Sequence, residues 1–550
     1  MNIEIISIGF LWFIRTSKFV LFWIYLWQLK EYHIGRFFDH FKTHKGKQLL
    51  MGKFPLVKVV LLVVLLANYY VFPLVFYILL LIYFAESAVF ILGIFKQRFL
   101  KPVFTKKTVL LTLCSFLLVV LYLFLSYAYA QSNFWFTFYL LVFDILTSFI
   151  VSIIVLFFQP FFVLARNKIL KKASRKINQY KKLTIIGING SYGKTSTKEF
   201  LTTILSSRFN VLSTPDHKNS EIGIAQTILS DLNENHQIFI VEMGSYNKGG
   251  IKLLCNMVKP RIGIVTGVNE QHLALFGSLE NLLSAEGGQE LLYNLPKDGL
   301  LVVNGDNKYC MDLYKKADTN KKVYSLKNDK VDSDIWAEEI SVLENSLDFM
   351  AMTREKEAVH FNVDILGKQN IQNLLGAILV AKELGMSLEE ISEAAKGIQQ
   401  EQAGITLKRG VHGINIIDSS YSSNPDGAIA DLDYLNVFKI NPSTGLRTKK
   451  VVIMPCLIEL GKKSTDVHLQ IGKKIAEVCD VAIITTKDKF EEVKNSAVQN
   501  GMTESKIIFC EKPKEVFHLI TTFCKQKDVV LLEGRVPGEL IKLLVTQKST

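Results

Sequence analysis

The chain has few cysteines, and their spacing matches neither a disulfide framework nor a zinc site. Its seven cysteines are scattered over 550 residues, with neither a C-x-x-C pair nor the spacing of a zinc site. A disulfide framework is therefore not expected, and neither is a cysteine-based zinc site. Scattered cysteines of this kind fit a reducing cytosol and small positions in a protein core.

Acidic residues are scarce in the first third of the chain. Residues 1–182 hold 22 Lys and Arg but only 5 Asp and Glu, whereas the remaining residues hold 42 and 46. The basic excess thus belongs to the hydrophobic part of the chain rather than to the whole protein. This distribution favours membrane lipids as a partner and argues against nucleic acid.

Long hydrophobic runs fill residues 1–164, which we expect to form a transmembrane region of about five helices. Runs of this length cross a bilayer as helices, and their recurrence excludes a cleavable signal peptide. The predicted spans are 5–28, 56–95 (a two-helix hairpin broken near Asn68), 108–130 and 136–160.

Basic residues mark one side of the predicted membrane region. They concentrate in 29–55, 96–107 and 165–182, and the turns near Asn68 and Gln131 hold none. The positive-inside rule places the basic segments in the cytoplasm and the N-terminus outside. Residues 165–182 are then a basic juxtamembrane linker, predicted as a helix lying against anionic headgroups. Localisation in the cell membrane, with the rest of the chain cytoplasmic, follows.

Two acidic residues, Glu86 and Asp144, fall within predicted spans. An acidic residue inside a membrane is a candidate functional group, because burying its charge in lipid is costly. The alternative is a position near the interface, or pairing with a Tyr or Ser inside the bundle.

The stretch from Leu183 to Phe200 has the strand–loop–helix order of a phosphate-binding loop. It differs by one position from the strict G-x-x-x-x-G-K-[ST] pattern, because its first glycine is Gly187. Lys194 is the residue expected to reach the terminal phosphates, and the Thr195 hydroxyl is expected on Mg²⁺. The alternative is a glycine-rich turn that binds nothing. The predicted nucleotide-binding residues of the loop are Asn189, Gly190, Ser191, Tyr192, Gly193, Lys194, Thr195 and Ser196.

Alternating strands and helices follow the loop and predict a doubly wound, parallel α/β sheet. Glu242 ends an apolar strand, Ile238–Met243, where an acid commonly holds Mg²⁺; the alternative is a surface carboxylate. His272 follows the next strand, Arg261–Val268, and we interpret it as a ligand rather than a structural histidine. Residues 322–366 lose the helical period and predict short strands or hairpins. From Gly404 a second, smaller Rossmann-like α/β domain is expected.

From about residue 183 to 540 the sequence resembles the Mur ligase family, and within it the branch that adds D-alanyl-D-alanine to a UDP-linked muramoyl tripeptide. The matching pieces occur in order: Gly190–Glu199, Thr214-Pro215 with Asn219-Ser220, Glu242-Met-Gly244, Thr266 with His272 and Phe276-Gly-Ser278, Asn304 with Asp306, Gly367 with Asn370 and Asn373, Asp418 with Tyr421 and Asn424-Pro425, and Glu459-Leu-Gly461 with His468. The resemblance implies a central ATP-binding domain at 183–403 and a C-terminal domain at 404–550. It implies an ATP- and Mg²⁺-dependent ligase that makes an acyl phosphate and then an amide.

The resemblance also implies roles for single residues. Lys194, His272 and Glu286 would be catalytic; Asn304 would contact the nucleotide base. Metal ligands would be Thr195, Glu242, His272 and Glu286, and substrate contacts would come from Asn219, Ser220, Asp418, Tyr421 and Asn424.

The sequence departs from the family in three places. Glu286 stands where members usually carry a carbamylated lysine, and our hypothesis is that its carboxylate supplies that anion directly; the alternative is a weakened second metal site or a non-catalytic protein. Gly404-Ile405 replaces a Gly-Arg pair, with Lys408 or Arg409 as substitutes, and Glu533-Gly-Arg535 replaces a Lys-Gly-Ser. The family's UDP-sugar domain is missing.

These features predict a membrane-anchored peptide ligase of cell-envelope precursor synthesis. Its partners would be ATP, a UDP-linked or lipid-linked muropeptide acceptor, an amino acid or dipeptide, membrane lipids and an envelope-synthesis complex. The alternatives are a ligase for another lipid-linked acceptor, and a non-catalytic nucleotide-sensing scaffold or transporter.

Overall fold

The computed structural model describes residues 3–96, 99–327, 332–421, 424–440, 445 and 447–545. The chain divides into two compact units, Met1–Asn167 and Lys168–Thr550. The first unit is helical. Its helices are α1 (Ile3–Leu29), α2 (Ile34–His40), α3 (His44–Met51), α4 (Lys53–Ala67), α5 (Phe72–Phe95), α6 (Lys106–Tyr129) and α7 (Asn133–Ile177).

Five helical stretches are long and apolar enough to cross a membrane, judged by length and composition only. Their bounds are Ile3–Leu29, His44–Ala67, Tyr69–Phe95, Lys106–Tyr129 and Asn133–Ile177. Many of their large apolar side chains are exposed, as on a surface that faces lipid. The break predicted near Asn68 lies between the second and third stretches, where the Asn68 side chain accepts a hydrogen bond from the Tyr70 backbone N–H.

The basic linker was predicted as a helix, and it is helical as far as Ile177, as the end of α7 rather than as a separate helix. Helix α7 continues through Pro160 to Ile177 without interruption. The apolar residues of this segment, Leu170, Ala173 and Ile177, are buried in a core that also contains Ile224 and Ile228 of the second unit. The basic side chains of the segment, Lys168, Lys171, Lys172 and Arg175, stay exposed, so its contact with anionic headgroups remains a prediction.

Four charged side chains from four helices meet inside the helical unit. Glu86 of α5 lies 3.1 Å from the Arg15 guanidinium of α1 and 2.6 Å from Lys58 Nζ of α4. Asp144 of α7 lies 3.0 Å from Lys58 Nζ and also pairs with Arg15. Each of the four charges thus has two opposite partners, which offsets the large desolvation penalty of burial. The pairing with a Tyr or Ser considered for these acids is not what the structure shows; their partners are cations.

The second unit opens with a sheet of nine strands. The elements up to residue 395 are β1 (Thr184–Asn189), α8 (Lys194–Ser206), β2 (Val211–Ser213), α9 (Glu221–Ser230), β3 (Ile238–Glu242), α10 (Gly250–Val258), β4 (Ile262–Val265), α11 (Leu273–Phe276), α12 (Leu279–Ala285), α13 (Gln289–Leu292), β5 (Leu300–Asn304), α14 (Lys308–Lys316), β6 (Asn320–Ser325), β7 (Ile335–Val342), β8 (Leu347–Thr353), β9 (Ala358–Val363), α15 (Gln369–Glu383) and α16 (Leu388–Ala395).

The strand order in this sheet is β2-β3-β1-β4-β5-β6-β7-β8-β9. Neighbouring strands are parallel from β2 to β7, whereas the β7–β8 and β8–β9 pairs are antiparallel. The sheet is therefore mixed, rather than wholly parallel as the alternating pattern predicted. Hairpin connections join the last three strands, so no crossover helix separates them. This agrees with the loss of helical period between residues 322 and 366.

The remaining elements form a second sheet of six strands in the order β10-β11-β15-β12-β13-β14. All neighbours are parallel except β10 and β11. The elements are β10 (Thr406–Arg409), β11 (Asn415–Ser419), α17 (Pro425–Tyr434), β12 (Lys450–Met454), α18 (Ser464–Val478), β13 (Val481–Ile484), α19 (Phe490–Gln499), β14 (Ile507–Phe509), α20 (Pro513–Phe523), β15 (Val529–Glu533) and α21 (Gly538–Leu544).

Candidate functional site

A glycine-bounded loop joins β1 to α8 at the carboxyl edge of the first sheet. Gly190 has φ +142° and Gly193 has φ +75°, conformations that side-chain-bearing residues rarely adopt. Space is equally restrictive, because a Cβ on Gly193 would lie 2.3 Å from Asn373 Oδ1. Lys194, Thr195 and Ser196 form the first turn of α8, where backbone N–H groups have no helical partner. The loop and this turn form the arrangement that binds phosphate.

The segment after β4 holds the loop in place. The Ser191 N–H donates to Gly267 O at 2.7 Å, and the Thr266 N–H donates to Asn189 O at 3.0 Å. The Thr266 hydroxyl also donates to Tyr192 O. This explains why β4 ends at Val265 rather than at Val268 as predicted: the following residues leave the sheet to bind the loop.

Lys194 currently folds back onto the loop. Its Nζ donates to Gly190 O at 2.5 Å and lies 3.4 Å from Ser191 O. A lysine in this position is a point charge that can move from carbonyl oxygens to a phosphate oxygen. Helix α8 therefore begins with a cation that lies against the loop.

Glu286 and His272 form a buried pair beside the loop. Glu286 Oε1 lies 2.7 Å from His272 Nδ1, and Glu286 Oε2 accepts from the Ser191 hydroxyl at 2.8 Å. The Glu286 side chain is only 5% exposed. Burial raises the pKa of this carboxyl, but His272, Lys194 and Ser191 together outweigh burial and hold it below its ordinary value. The site therefore carries a permanent anion at this point.

Glu242, at the end of β3, is buried and engaged. Its Oε1 accepts from Asn219 Nδ2 at 2.9 Å, and its backbone N–H donates to the Thr214 hydroxyl at 3.0 Å. The neighbouring Ser220 caps α9 by accepting from the Gly223 N–H, which is a structural role. Glu242 is thus held in a fixed direction by Asn219.

Tyr421 brings the second domain to the loop. Its hydroxyl hydrogen-bonds with the Thr195 side chain, and its ring stacks on His217 with centroids 5.2 Å apart. Burial first, then the carboxylates of Glu242 and Asp216, raise the pKa of Tyr421, so the hydroxyl stays protonated. Thr195 and Glu242 therefore face the same tyrosine.

Asp418 and Asn424, two further residues predicted to contact substrate, lie close to Tyr421 in the sequence of the second domain. Asp418 accepts from Lys408 Nζ at 2.6 Å and from the Ser420 hydroxyl at 2.6 Å. Burial raises the pKa of Asp418, but Lys408 and Ser420 outweigh burial and keep it below its ordinary value. Asn424 caps α17 by accepting from the Gly427 N–H at 2.9 Å. Lys408, one of the two proposed substitutes, therefore contacts Asp418.

Asn304 is placed inside the protein rather than on an open surface. It is 1% exposed; its Nδ2 donates to Thr266 O at 2.9 Å and its Oδ1 accepts from the Asp306 N–H at 3.0 Å. These bonds tie the end of β5 to the segment that holds the loop. In this arrangement Asn304 supports the loop through Thr266.

Several contacts of the site, as distinct from the residues that make them, carried no signal in the sequence. Asn269 contacts both the loop and the second domain, and its partner Asp426 lies in the first turn of α17. Asp431 and Glu533 form a fully buried carboxyl pair, which Gln369 of the first domain joins at 2.8 Å. Burial first, and then the neighbouring carboxyl, raises the pKa of Glu533 well above its ordinary value. Such pairs join residues far apart in the chain, so no local pattern reveals them.

The fit to Mg²⁺ rests on Thr195 and Glu242. Mg²⁺ is commonly held by one or two protein oxygens, with water and substrate phosphates completing its shell. Within the described part of the chain, no group of three or more His, Cys, Asp and Glu side chains could hold a metal alone. The Thr195 hydroxyl and the Glu242 carboxylate, beside a phosphate loop, fit a Mg²⁺ ion whose ligands come partly from the protein and partly from phosphate and water. At the second position, both Glu286 oxygens already have protein partners.

A loop with the geometry of a phosphate loop at the edge of the first sheet, faced by a second α/β domain, is the arrangement of two-domain nucleotide-binding proteins. Residues 188–381 match the Mur ligase middle domain, and residues 405–536 match the Mur ligase glutamate ligase domain. The chain belongs to the Mur ligase family.

Relatives of known sequence include UDP-N-acetylmuramoyl-tripeptide--D-alanyl-D-alanine ligases. The one from Bacillus subtilis (strain 168) is 27% identical over 292 residues, which is 53% of this chain and 60% of that protein. The one from Mycobacterium tuberculosis (strain CDC 1551 / Oshkosh) is 30% identical over 294 residues, 53% of this chain and 56% of that protein. The chain spans about three fifths of the length of the curated relatives it matches.

Solved structures share the fold. MurF from Acinetobacter baumannii superposes with a TM-score of 0.60 at 23% identity, covering 69% of this chain and 80% of that one. The MurF ligase from Thermotoga maritima in complex with ADP gives a TM-score of 0.59 at 20% identity, covering 69% and 83%. These likenesses establish the two-domain architecture.

Proposed function

We propose that the chain is a membrane-anchored, ATP-dependent amide ligase that extends a muropeptide precursor of the cell envelope. The observation that carries the proposal is the loop itself, with Lys194 at its end, Glu242 beside it and Tyr421 of the second domain on Thr195. Membership of the Mur ligase family, and relatives named for joining D-alanyl-D-alanine to a muramoyl tripeptide, support the same reaction.

The reaction has two steps. A carboxylate oxygen of the acceptor attacks the γ-phosphorus of ATP, the bond from that phosphorus to the bridging oxygen breaks, and ADP leaves. The neutral amine of the second substrate then attacks the acyl carbon, the bond from that carbon to the phosphate oxygen breaks, and the phosphate leaves with the proton that the amine nitrogen loses as the amide forms. Both steps depend on positioning and on neutralising negative charge more than on proton transfer.

The residues divide this work between them. Lys194 and the N–H groups at the start of α8 bind the terminal phosphates. Thr195 and Glu242 would hold Mg²⁺, which neutralises phosphate charge when bound. Tyr421 lies on Thr195, so the second domain covers the loop and keeps water from an acyl phosphate. His272 and Glu286 fix Ser191 and thereby the shape of the loop.

The membrane part of the proposal rests on the helical unit. Five stretches have the length and hydropathy of membrane spans, and basic residues cluster on the connections we assign to the cytoplasm. This puts the N-terminus outside and the phosphate loop on the side where ATP is found. A protease-protection assay on intact and opened vesicles measures this orientation: cleavage near Lys327 in intact right-side-out vesicles would contradict it.

ADP release by the purified full-length chain in detergent tests the activity. We expect release only when a muropeptide acceptor and D-alanyl-D-alanine are both present, and loss of that release when Mg²⁺ is chelated. Lys194→Met should lower the rate by at least about a hundredfold, as expected for a phosphate-positioning charge, whereas Lys297→Met, at an exposed lysine, should not. ATP binding without acceptor-dependent ADP release would instead indicate a nucleotide-sensing scaffold. Comparing UDP-linked with lipid-linked muropeptide identifies the acceptor.

A further inference from the structure

Asn269 occupies a position between the phosphate loop and the second domain. Its side-chain Nδ2 donates to Asp426 Oδ2 at 2.7 Å and lies 3.5 Å from Asn424 Oδ1. Both partners begin α17 of the C-terminal domain. Asn269 itself follows β4 of the first domain, so this contact crosses from one domain to the other.

The same residue also holds the loop. The Asn269 backbone N–H donates to Ser191 Oγ at 3.2 Å, and the Ser191 hydroxyl donates to Glu286 Oε2 at 2.8 Å. Ser191 can point its hydroxyl hydrogen at Glu286 because the Asn269 N–H fills its acceptor side. A continuous path of hydrogen bonds therefore runs from Glu286 through Ser191 and Asn269 to Asp426.

The orientation of the Asn269 amide is fixed by a third bond. Its Oδ1 accepts from the Gln271 N–H at 3.1 Å, so the NH₂ group is the end that faces Asp426. Asn269 is only 6% exposed, and water therefore competes little for these bonds. A buried amide that lost Asp426 would keep an unsatisfied donor, which is unfavourable. Asp426 is the matching acceptor, because its place in the first turn of α17 favours a negative charge.

We infer that Asn269 is a positioning residue that couples the shape of the phosphate loop to docking of the C-terminal domain. The inference rests on the proposed ligase function and assigns the coupling to one donor–acceptor pair, Asn269 and Asp426. Docking favours the Ser191 orientation seen here, and that orientation in turn favours docking. The consequence for the reaction is that the acyl phosphate is covered before water can hydrolyse it.

Exchanging the hydrogen-bond donor Asn269 and the acceptor Asp426 tests whether this pair couples the loop to the C-terminal domain. Asn269→Asp places two carboxylates against each other, and we expect amide formation to fall about tenfold, the effect of losing one hydrogen bond to a charged group. ADP released per amide formed should rise above one. Asp426→Asn keeps an acceptor and should have a small effect. The double variant Asn269→Asp, Asp426→Asn restores the bond in the opposite direction and should recover both the rate and the ratio.

Hydrogen exchange of the full chain gives a readout that does not need catalysis. Asn269→Asp should speed exchange of the backbone amides at the start of α17, and the double variant should slow it again. Asn362→Asp is the matched control, because Asn362 Nδ2 makes a similar 3.0 Å bond to Asp348 within the first domain, away from the loop; it should leave exchange at α17 and the ADP ratio unchanged.

The outcomes separate the two claims. Unchanged exchange in Asn269→Asp, or a double variant as impaired as the single one, overturns the coupling whether or not the chain is a ligase. Altered exchange with an unchanged ADP ratio overturns its role in protecting the acyl phosphate. A wild-type chain that forms no amide refutes the proposed function, while the exchange data still decide whether Asn269 holds the domains together.

Discussion

Replacing Glu286 with glutamine removes a buried negative charge beside the phosphate loop. The glutamate accepts two short hydrogen bonds, from the Ser191 hydroxyl and at His272 Nδ1, with Lys194 close enough to lower its pKa. Glutamine keeps one acceptor oxygen but loses the charge that strengthens both bonds. A hydrogen bond to a charged group contributes about 1.5–3 kcal/mol and a neutral one about 1 kcal/mol. The expected loss of stability is therefore about 2 kcal/mol.

That loss should shift the thermal midpoint of the Mur ligase unit by about 4–8 °C, from the usual 2–4 °C per kcal/mol for domains of about 200 residues. Because the pKa of Glu286 is lower in the folded state, its contribution is complete above the ordinary glutamate value of 4.5. The contribution is lost as pH falls through the folded value, so the two proteins should converge in acid.

The same variant tests whether Glu286 supplies the anion of a metal site. In that case, the Mg²⁺ concentration that gives half of the maximal stabilisation of the protein by ADP should rise about tenfold. Removing a group that supports a metal site typically lowers metal affinity by about 10–100-fold, and the expected change is the lower end of that range. Glu290→Gln is the matched control: Glu290 is buried and accepts from the Gly249 and Lys252 N–H groups, away from the loop. It should lower stability without changing the Mg²⁺ response. Unchanged activity and unchanged metal dependence in Glu286→Gln would refute the reasoning.

Two further predictions concern the loop and the second domain. A Cβ on Gly267 would lie 2.2 Å from Tyr192 Cζ, so Gly267→Ala should displace the tyrosine and weaken ADP binding at least about tenfold by calorimetry; Gly538→Ala, with open space around it, should not. Because the pKa of Glu533 is raised in the folded state, its ionisation removes stability as pH rises above the ordinary glutamate range. Glu533→Gln should therefore unfold at a higher temperature than wild type at pH 8 and at the same temperature near pH 4, and a constant difference between the two would contradict this.

Local patterns predicted the loop well. The β-branched run before Asn189, the two glycines and Lys194 specify a strand, a turn and a helix within eleven residues, so sequence and structure agree there. The contact between Asn269 and Asp426, in contrast, could not be predicted from a local pattern. Its partners are 157 residues apart and belong to two domains, and neither stands out by spacing or composition.

The buried charges of the helical unit are likewise explained by contacts between residues far apart in the sequence. Arg15 lies within the first predicted span, 5–28, where a cation in a hydrophobic run counts against a membrane helix. In the folded unit Arg15 forms ion pairs with Glu86 and Asp144. The sequence alone indicated only that each of these acids lies within a predicted membrane span. Single-residue hydropathy assigns a penalty to each charge separately, whereas their mutual neutralisation depends on tertiary packing.

The buried charges of the helical unit also impose an order on its biogenesis. During synthesis Arg15, Lys58 and Glu86 emerge before Asp144, so a nascent chain that ends ahead of α7 holds two cations and a single anion of this cluster. Neutrality is reached only when α7 is made, and α7 is the helix that runs on to Ile177 at the start of the ligase unit. A helical unit that lacks α7 is thus left with one buried cation of this cluster without its anion.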